Sequence, residues 1–539
     1  MTTYNLADLF ELIVDRVPER EAIVTDDQRI SYAKLEDRAN RLANYLRAQG
    51  VKAGDHIGIH LRNGNEYIEG MLAAYKLSAV PININYNYVE SELRFLYGDT
   101  DLVALLVHRE YAPRVANVAE ELPKLKIFVV VEDGSCAEVP TAWDEYEATL
   151  NASSAQRDFG PRSSDDVYII CTGGTTGMPK GVMWRHEDIF FASLGGGDPD
   201  RTKGFIKHPD ELAERIPDFS MATLAAPPFM HAAAQWGALT QMLSGGTLVI
   251  PAKGAFDVQA IWRAVCDENV VALLIVGDAM GTPLADELEA NPDAYDPQSL
   301  FVIASGGAIL SPVVKKRLLK LLPGKMILDG LGSSETGVIG NKTSDGSAEE
   351  STEARFMVGE AVQVLDDDLQ PIAAGSGKVG LLARGGHVPL GYYNAPEKTA
   401  KTFVEANGQR WSLPGDMATV EEDGSVLLLG RGSTSINTGG EKVFPEEVES
   451  ALKENPKIYD AIVVGVPDER FGQAITAVVQ LRPGVELLHA EMKEACRANI
   501  AGYKIPRQLV LCNKIKRSPA GKADYPWAKE FALRALGLT

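Results

Sequence analysis

The sequence predicts an α/β protein: a large N-terminal domain of mostly parallel sheets with helices and a small β subdomain, followed by a small α+β C-terminal domain. Three observations carry that reading. Helix-period and strand-like segments alternate along most of the chain. The longest apolar runs, DLVALLV (101–107) and VVALLIV (270–276), have the length of buried strands, well short of the ~20 residues that span a bilayer. Near residue 355 the texture turns to short β segments, and a compact α/β alternation closes the chain.

In order, YAKLEDRANRLANYLRAQG (32–50) reads as a helix ending in a glycine C-cap, with DHIGIHL as the next strand. The same pairing recurs at EYIEGMLAAYKLSA with VPININ, and at AIWRAVCDENV with VALLIVG. VYII (167–170) is a β-branched strand, and GVMWRHEDIFFASL reads as a helix. Residues 194–219 form a polar insertion with one short helix, a candidate lid, and 341–356 an acidic, serine-rich loop. The stretches VQVLDDDLQPIAAGSGKVGLLARG and GSVLLLGRGS supply the β subdomain. Then come the helix EEVESALKEN, the strands YDAIVVGVP and AITAVVQL, the helix HAEMKEACRANI and a basic terminal segment. The expected division is 1–430, a connection at 431–433, and 434–539.

A chain of 539 residues exceeds one hydrophobic core; at ~150 residues per domain it holds three or four folding units. A net charge of −21 argues against nucleic acid as partner. The N-terminus lacks the basic region of a signal peptide. Five cysteines (Cys136, Cys171, Cys266, Cys496, Cys512) are scattered, odd in number and without a CxxC pair. Reduced thiols in a cytoplasmic protein follow, with no zinc or disulfide frame and no transmembrane segment. Cys171 reads as a small buried hydrophobe.

The segment TGGTTGMPKG (172–181) carries almost no side chains to pack. Gly173, Gly174 and Gly177 let backbone N–H groups close around an anion, Thr172, Thr175 and Thr176 add hydroxyls, and Lys180 adds a charge. The spacing is not GxxxxGK[ST], so this is not a Walker loop. Read blandly, it is a flexible turn.

YIICTGGTTGMPKGV resembles the phosphate-loop signature of the AMP-forming adenylating enzymes, the superfamily of acyl-CoA synthetases, firefly-type luciferases and peptide-synthetase adenylation domains. The likeness covers essentially the whole chain, through SYAKLEDRANRLANYL, PPFMHAAAQWG (227–237), IASGGAILSP (303–312), DGLGSSETG (329–337), SLPGDMA (412–418), LGRGSTSINTGGEKVFPEEVE (429–449) and SPAGKADY (518–525). It implies a two-step reaction. A carboxylate attacks the α-phosphorus of ATP and expels pyrophosphate, and a thiol then displaces AMP. Two anions meet in the first step, so the site needs cations and N–H donors.

The resemblance implies roles residue by residue. Gly306, Gly307, Ala308, Asp329, Leu331, Gly332 and Ser334 lie on the adenine side. Glu335 holds Mg²⁺, which needs only one or two protein carboxylates beside phosphates. Asp416 accepts from the ribose hydroxyls, although Asp suits an ordinary Pro-Gly turn too. Arg431 reaches ribose or phosphate, or else makes an interdomain salt bridge. Lys522, in a mobile C-terminal domain, swings onto the carboxylate and α-phosphate, while His231 gates the acyl tunnel. Gly439, Gly440 and Glu441 line the CoA tunnel after the small domain rotates.

Leu331 replaces an aromatic ring, Ser433 a hinge Asp or Lys, and Pro414 a threonine; none removes a catalytic charge. The expected partners are a small carboxylic acid, ATP and CoA, with a homodimer left open. Segments 231–237, 276–280, 305–307 and 331–337 are rich in Ala, Gly and Ser, leaving room for a medium- to long-chain or ring-bearing acid. GMPKGVMWRHEDIF with the following insertion is similar to the actinobacterial branch acting on steroid side-chain and long-chain acids. Loading of a carrier protein, a catalytically silent binding homologue and a luciferase-like oxygenase are the rival readings.

Overall fold

The computed structural model describes residues 2–172, 178–251, 256–346, 354–438, 441–468, 470–497, 499–518 and 521–538. At its centre lie parallel strands in the spatial order Glu21–Val24, Thr247–Val249, Ala222–Ala225, Val270–Ile275, Val302–Gly306 and Met326–Ser333. Gly337–Ser344 then turns back antiparallel and leads through Arg355–Val358 into the antiparallel β subdomain of Val426–Arg431, Asp416–Val420 and Gly380–Arg384. A second sheet is wholly parallel: Val80–Asn83, His56–His60, Leu102–His108, Ile127–Val131 and Asp144–Glu145. Parallel strands need covering on both faces. The main apolar cluster fills the space between the two sheets, joining Ile23 of the first and Ile57 of the second with helices Leu6–Arg16, Tyr32–Ala48 and Ala232–Leu243, and separate clusters around Trp262 and Leu96 cover the opposite faces. The helix Asn65–Lys76 is buried all round. Its Lys76 is tolerated there because Glu11 and Glu36 pair with it at 2.7 and 2.8 Å.

The helix expected from Gly181 is corrected. Lys180–Arg185 is a strand paired antiparallel with Val167–Thr172, and the helix spans His186–Ser193. Val182 and Trp184 are fully buried while Met183 and Arg185, each one position on, are not, a period of two that marks a strand. The pairing runs to Thr172 opposite Lys180. Cys171 is buried on the strand Val167–Thr172, and burial pushes its thiol up to about 12, as suits a structural residue.

The insertion at 194–219 contains the short helix Glu211–Glu214, but Leu194, Ile206, Leu212 and Ile216 sink into the main core and pin it down. At Gly196, φ +55°, a Cβ would meet the rings of Phe205 and Phe191.

Ile458–Asp468 and Gly472–Leu481 form the long antiparallel pair of the C-terminal sheet; on the free side of Gly472–Leu481, Gln508–Cys512 runs parallel to its second half, and Ile436–Thr438, itself paired with Glu441–Val443, meets its start at Gly472. Helices Pro445–Lys453 and His489–Arg497 cover one face. The other is covered by Tyr525–Ala535, a helix hidden in what reads as a basic terminal segment. Asp524 caps it by accepting from Trp527 N, and Pro526 sits in its first turn. Val426–Arg431 belongs to the β subdomain and Ile436–Thr438 to the C-terminal sheet, with a single 3₁₀ turn, Gly432–Thr434, between them. No described helix is long and apolar enough to cross a membrane.

Candidate active site

The strands Val270–Ile275, Val302–Gly306 and Met326–Ser333 end together, with Ile275 opposite Ser305 and Gly306 opposite Gly330. Open α/β sheets bind ligands at such carboxyl edges. A Cβ on Gly307, φ +85°, would meet nothing within 4 Å, and one on Gly306 only the Gly330 carbonyl at 3.8 Å. The result is a floor free of side chains, on which a flat ring can lie. Ala308 follows at its margin, half-buried. Two adenine-side expectations look different in place. Asp329 is buried and ion-paired with Lys315 of the helix Pro312–Leu321. Leu331 packs against the β-subdomain cluster that includes Ile339 and Val362. Gly332 is pressed against the returning strand, where a Cβ would come within 2.3 Å of the Gly337 carbonyl.

The turn that follows presents Glu335. Ser333 N and the Thr336 hydroxyl hydrogen bond at 3.0 Å, and the Ser412 hydroxyl donates to the Glu335 carbonyl at 2.6 Å. Among the described residues the Glu335 carboxylate accepts one hydrogen bond, from Tyr392 Oη at 2.8 Å. Lys398 Nζ lies 4.0 Å over the Tyr392 ring. Burial lowers the pKa of Lys398, with Glu335 opposing and Arg431 and Lys180 assisting, so this ammonium shares the field of the site. Asp416 and Arg431 sit opposite one another on adjacent strands, 3.4 Å apart. Burial nevertheless raises the Asp416 pKa; Arg431 offsets this only in part.

Lys522 lies in a tight hairpin in which Ser518 N donates to Lys522 O at 2.9 Å and Gly521 N to Ser518 O at 2.8 Å. The hairpin rests on the start of the helix Gly277–Ala290: a Cβ on Gly521 would meet Ala279 Cβ at 3.0 Å and Val276 Cγ1 at 3.2 Å. Lys522 itself is open to solvent within the cleft, yet surrounded closely enough that desolvation, then Arg431, lowers its pKa against the pull of Glu335 and Asp416. The Lys522 charge also reaches His231. Burial first and Lys522 second push the His231 ring down to about 4, which leaves it neutral near pH 7. Its Nε2 has no hydrogen-bond partner among the described residues.

His231 is the N-cap of the helix Ala232–Leu243, and the chain before it is held by two asparagines. Asn63 accepts from Phe229 N at 2.7 Å and donates to Pro227 O at 2.9 Å. Asn83 donates to Met230 O at 2.7 Å and to Cys171 O at 2.9 Å, and accepts from Cys171 N at 2.7 Å. One side chain thus joins the strand Val167–Thr172 to the His231 segment.

The structure brings Glu335, Asp416, Arg431, Lys522 and His231 into one electrostatic neighbourhood. Thr172 ends the first hairpin strand opposite Lys180, whose Nζ lies 3.3 Å from Asp99. Gly173, Gly174, Thr175, Thr176 and Gly177 fall outside the described residues, as do Gly439 and Gly440. Glu441 is exposed on the edge strand of the C-terminal sheet. Asn83, Tyr392 and Lys398 were not anticipated, nor was Trp184, whose indole N–H donates to Ser334 O beside Glu335. The signal for Tyr392 and Lys398 was thin: GYYNAPEKTAK shows a Pro-led helix start and nothing in its spacing that points toward Glu335.

The described residues hold no cluster of three or more His, Cys, Asp or Glu side chains able to grip an ion unaided. A carboxylate with one protein donor fits a magnesium ion brought in by a polyphosphate, which takes one or two carboxylates and keeps water and phosphate ligands.

Residues 10–393 match the model of the AMP-binding enzymes and residues 447–522 that of the AMP-binding enzyme C-terminal domain. The chain is 49% identical to a 3-oxocholest-4-en-26-oate–CoA ligase of Rhodococcus rhodochrous, covering 98% of this chain and 95% of the relative. It is 46% identical to a medium/long-chain-fatty-acid–CoA/3-oxocholest-4-en-26-oate–CoA ligase of Mycobacterium tuberculosis, covering 98% and 96%. Its fold matches the crystal structure of the anthranilate CoA ligase AuaEII in complex with anthranoyl-AMP, with a TM-score of 0.86 at 21% identity over 99% of both chains. With both modules matched and relatives of this identity over its whole length, the chain belongs to the AMP-binding enzymes, in their acyl-CoA ligase branch.

Proposed function

We propose that the chain activates a medium- to long-chain or ring-bearing carboxylic acid, steroid side-chain acids among them, as its acyl adenylate and then as its CoA thioester. The carrying observation is the docked Lys522 hairpin, which sets one ammonium from the C-terminal domain beside Glu335, Asp416 and Arg431 of the N-terminal domain. Four charged groups from four separate segments around one cleft suit a reaction that joins two anions. The substrate class rests on the two relatives named above and on the small side chains of 231–237 and 305–307.

In the first half-reaction Lys522 neutralises the incoming carboxylate and a non-bridging α-phosphate oxygen, and pyrophosphate leaves toward the hairpin of Thr172 and Lys180. Glu335, oriented by Tyr392, would hold magnesium, whose positive charge offsets the polyphosphate when it is bound. Asp416 takes the ribose hydroxyls, with Arg431 fixing its position from the facing strand. In the second half-reaction the C-terminal domain turns about residues 431–433, withdraws Lys522 and brings the Gly439–Glu441 segment to the CoA tunnel. The neutral ring of His231, free at Nε2, swings at the tunnel mouth without carrying a charge into an apolar passage. Five free cysteines accord with a cytoplasmic location.

The test is an acid panel with ATP, magnesium and CoA, read as thioester by mass spectrometry. Turnover of octanoate, palmitate or a steroid C-26 acid well above acetate is expected. Strong turnover of acetate alone would overturn the substrate class, and adenylate without thioester at any CoA concentration would favour a carrier-protein acceptor.

A further inference from the structure

Behind the Lys522 hairpin runs a buried line of charges that the reaction as described leaves unused. Asp278 stands in the first turn of the helix Gly277–Ala290, where its Oδ1 accepts from Ser311 N at 2.7 Å. Its Oδ2 meets Lys453 Nζ, from the last turn of Pro445–Lys453 in the C-terminal domain, at 3.0 Å. Lys453 Nζ lies 3.3 Å from Asp460 Oδ1. Arg517 grips Asp460 with two hydrogen bonds of 2.7 Å and donates its third nitrogen to Gly521 O at 3.1 Å. Gly521 immediately precedes Lys522. The side chains of Asp278, Lys453 and Asp460 are only 10, 11 and 13% exposed, so solvent screens these contacts little.

We infer that the Asp278–Lys453 ion pair is a positioning latch for adenylation, holding the C-terminal domain so that Arg517 and Gly521 deliver Lys522 to the cleft. The inference rests on the proposed two-step reaction. Gly521 packs on Val276, the N-cap of the helix that carries Asp278, and on Ala279, the residue after Asp278. Hairpin docking and ion pair therefore share one geometry, and a rotation that withdraws Lys522 parts Lys453 from Asp278 as well. The latch can release because neither charge is then stranded. Lys453 keeps Asp460, within its own domain. Asp278 keeps the Ser311 amide and the favourable N-terminus of its own helix. By contrast, the Asp460–Arg517–Gly521 chain lies wholly inside the C-terminal domain and moves with it. Its part is to shape the hairpin; that of Asp278–Lys453 is to choose the domain orientation. A contact made in one orientation alone biases the equilibrium by its full differential energy.

The experiment measures two single-turnover rates in Asp278→Asn, Lys453→Met and the double variant: octanoyl-AMP formation from ATP and octanoate, and thioester formation from supplied octanoyl-AMP and CoA. Asparagine at 278 can still accept from Ser311 N. Each single substitution is expected to slow the first rate about 10- to 100-fold, the range of a buried pair lost from one of two states. The second rate stays nearly unchanged, which also certifies the fold. The double variant is expected to be no slower than the worse single, and Lys453→Arg to recover most of the first rate. Equal losses in both half-reactions, or losses that multiply in the double variant, would overturn the latch. Wild-type protein forming no adenylate would instead overturn the proposed function.

Discussion

The indole N–H of Trp184 donates to the backbone carbonyl of Ser334 at 3.0 Å. The strand Lys180–Arg185 is thereby tied to the turn that presents Glu335. Trp184 and Ser334 stand 150 residues apart in the chain, yet this bond holds their segments together. Trp184→Phe keeps the ring buried and removes the donor. It is expected to cost about 1–2 kcal/mol of stability and to raise KM for ATP more than KM for the acid, read by thermal melts and steady-state kinetics.

Tyr392, with Lys398 over its ring, holds the same carboxylate from the other side. Tyr392→Phe removes the 2.8 Å hydrogen bond to Glu335, so the carboxylate loses its orienting donor. Adenylation at limiting magnesium should fall about tenfold, roughly one charge-assisted hydrogen bond, and recover in part at saturating magnesium. A loss indifferent to magnesium would separate Glu335 from the metal.

Asn83 is a structural clasp. Its three hydrogen bonds, to Met230 O, Cys171 O and Cys171 N, are buried. Asn83→Ala leaves those backbone groups unpaired and is expected to cost about 2–4 kcal/mol, measured by denaturant unfolding. An unchanged midpoint would mean water replaces the side chain.

Charge in the sequence is easier to see than the company it keeps. Lys522, Glu335 and Asp416 are singled out by the resemblance of their motifs, since a charged residue in a short glycine-flanked turn suits ordinary turn chemistry as well. The parallel α/β core is equally legible, since strands such as Val270–Ile275 are unbroken apolar runs between helical periods. Lys180–Arg185 was misread because its period-two signal spans only Val182 and Trp184 before a true helix begins. Asp329 sits amid a glycine-rich motif and reads as a ligand residue, but its ion pair with Lys315 comes from a separate helix. Asn83 and the Asp278–Lys453 pair join segments far apart in the chain, 88 residues in one case and 175 in the other, and no local pattern records such partners.

Glu446 gives the fold a pH signature. It lies in the first turn of Pro445–Lys453 against Gly430, and its Oε2 has no partner among the described residues. Burial, and then the Glu449 charge, raise its pKa from 4.5 to about 8. The folded state therefore holds a proton that the unfolded chain releases above about 4.5. This carboxyl's contribution to stability falls as pH rises between those two values and is level beyond them. Glu446→Gln should melt above wild type at alkaline pH, with the gap closing toward about pH 5. A gap that widens on acidification would reverse the assignment.

The central claim is that a lysine from the C-terminal domain completes the cation set around ATP. Exchange of labelled pyrophosphate into ATP, driven by octanoate or a steroid C-26 acid, tests it most directly in wild type and Lys522→Ala. The account predicts acid-dependent exchange in the wild type, a loss of about 10²- to 10⁴-fold in the variant, and undiminished thioester formation by that variant from supplied acyl-AMP. Exchange that survives the loss of Lys522, or that no fatty or cyclic acid elicits, would contradict it.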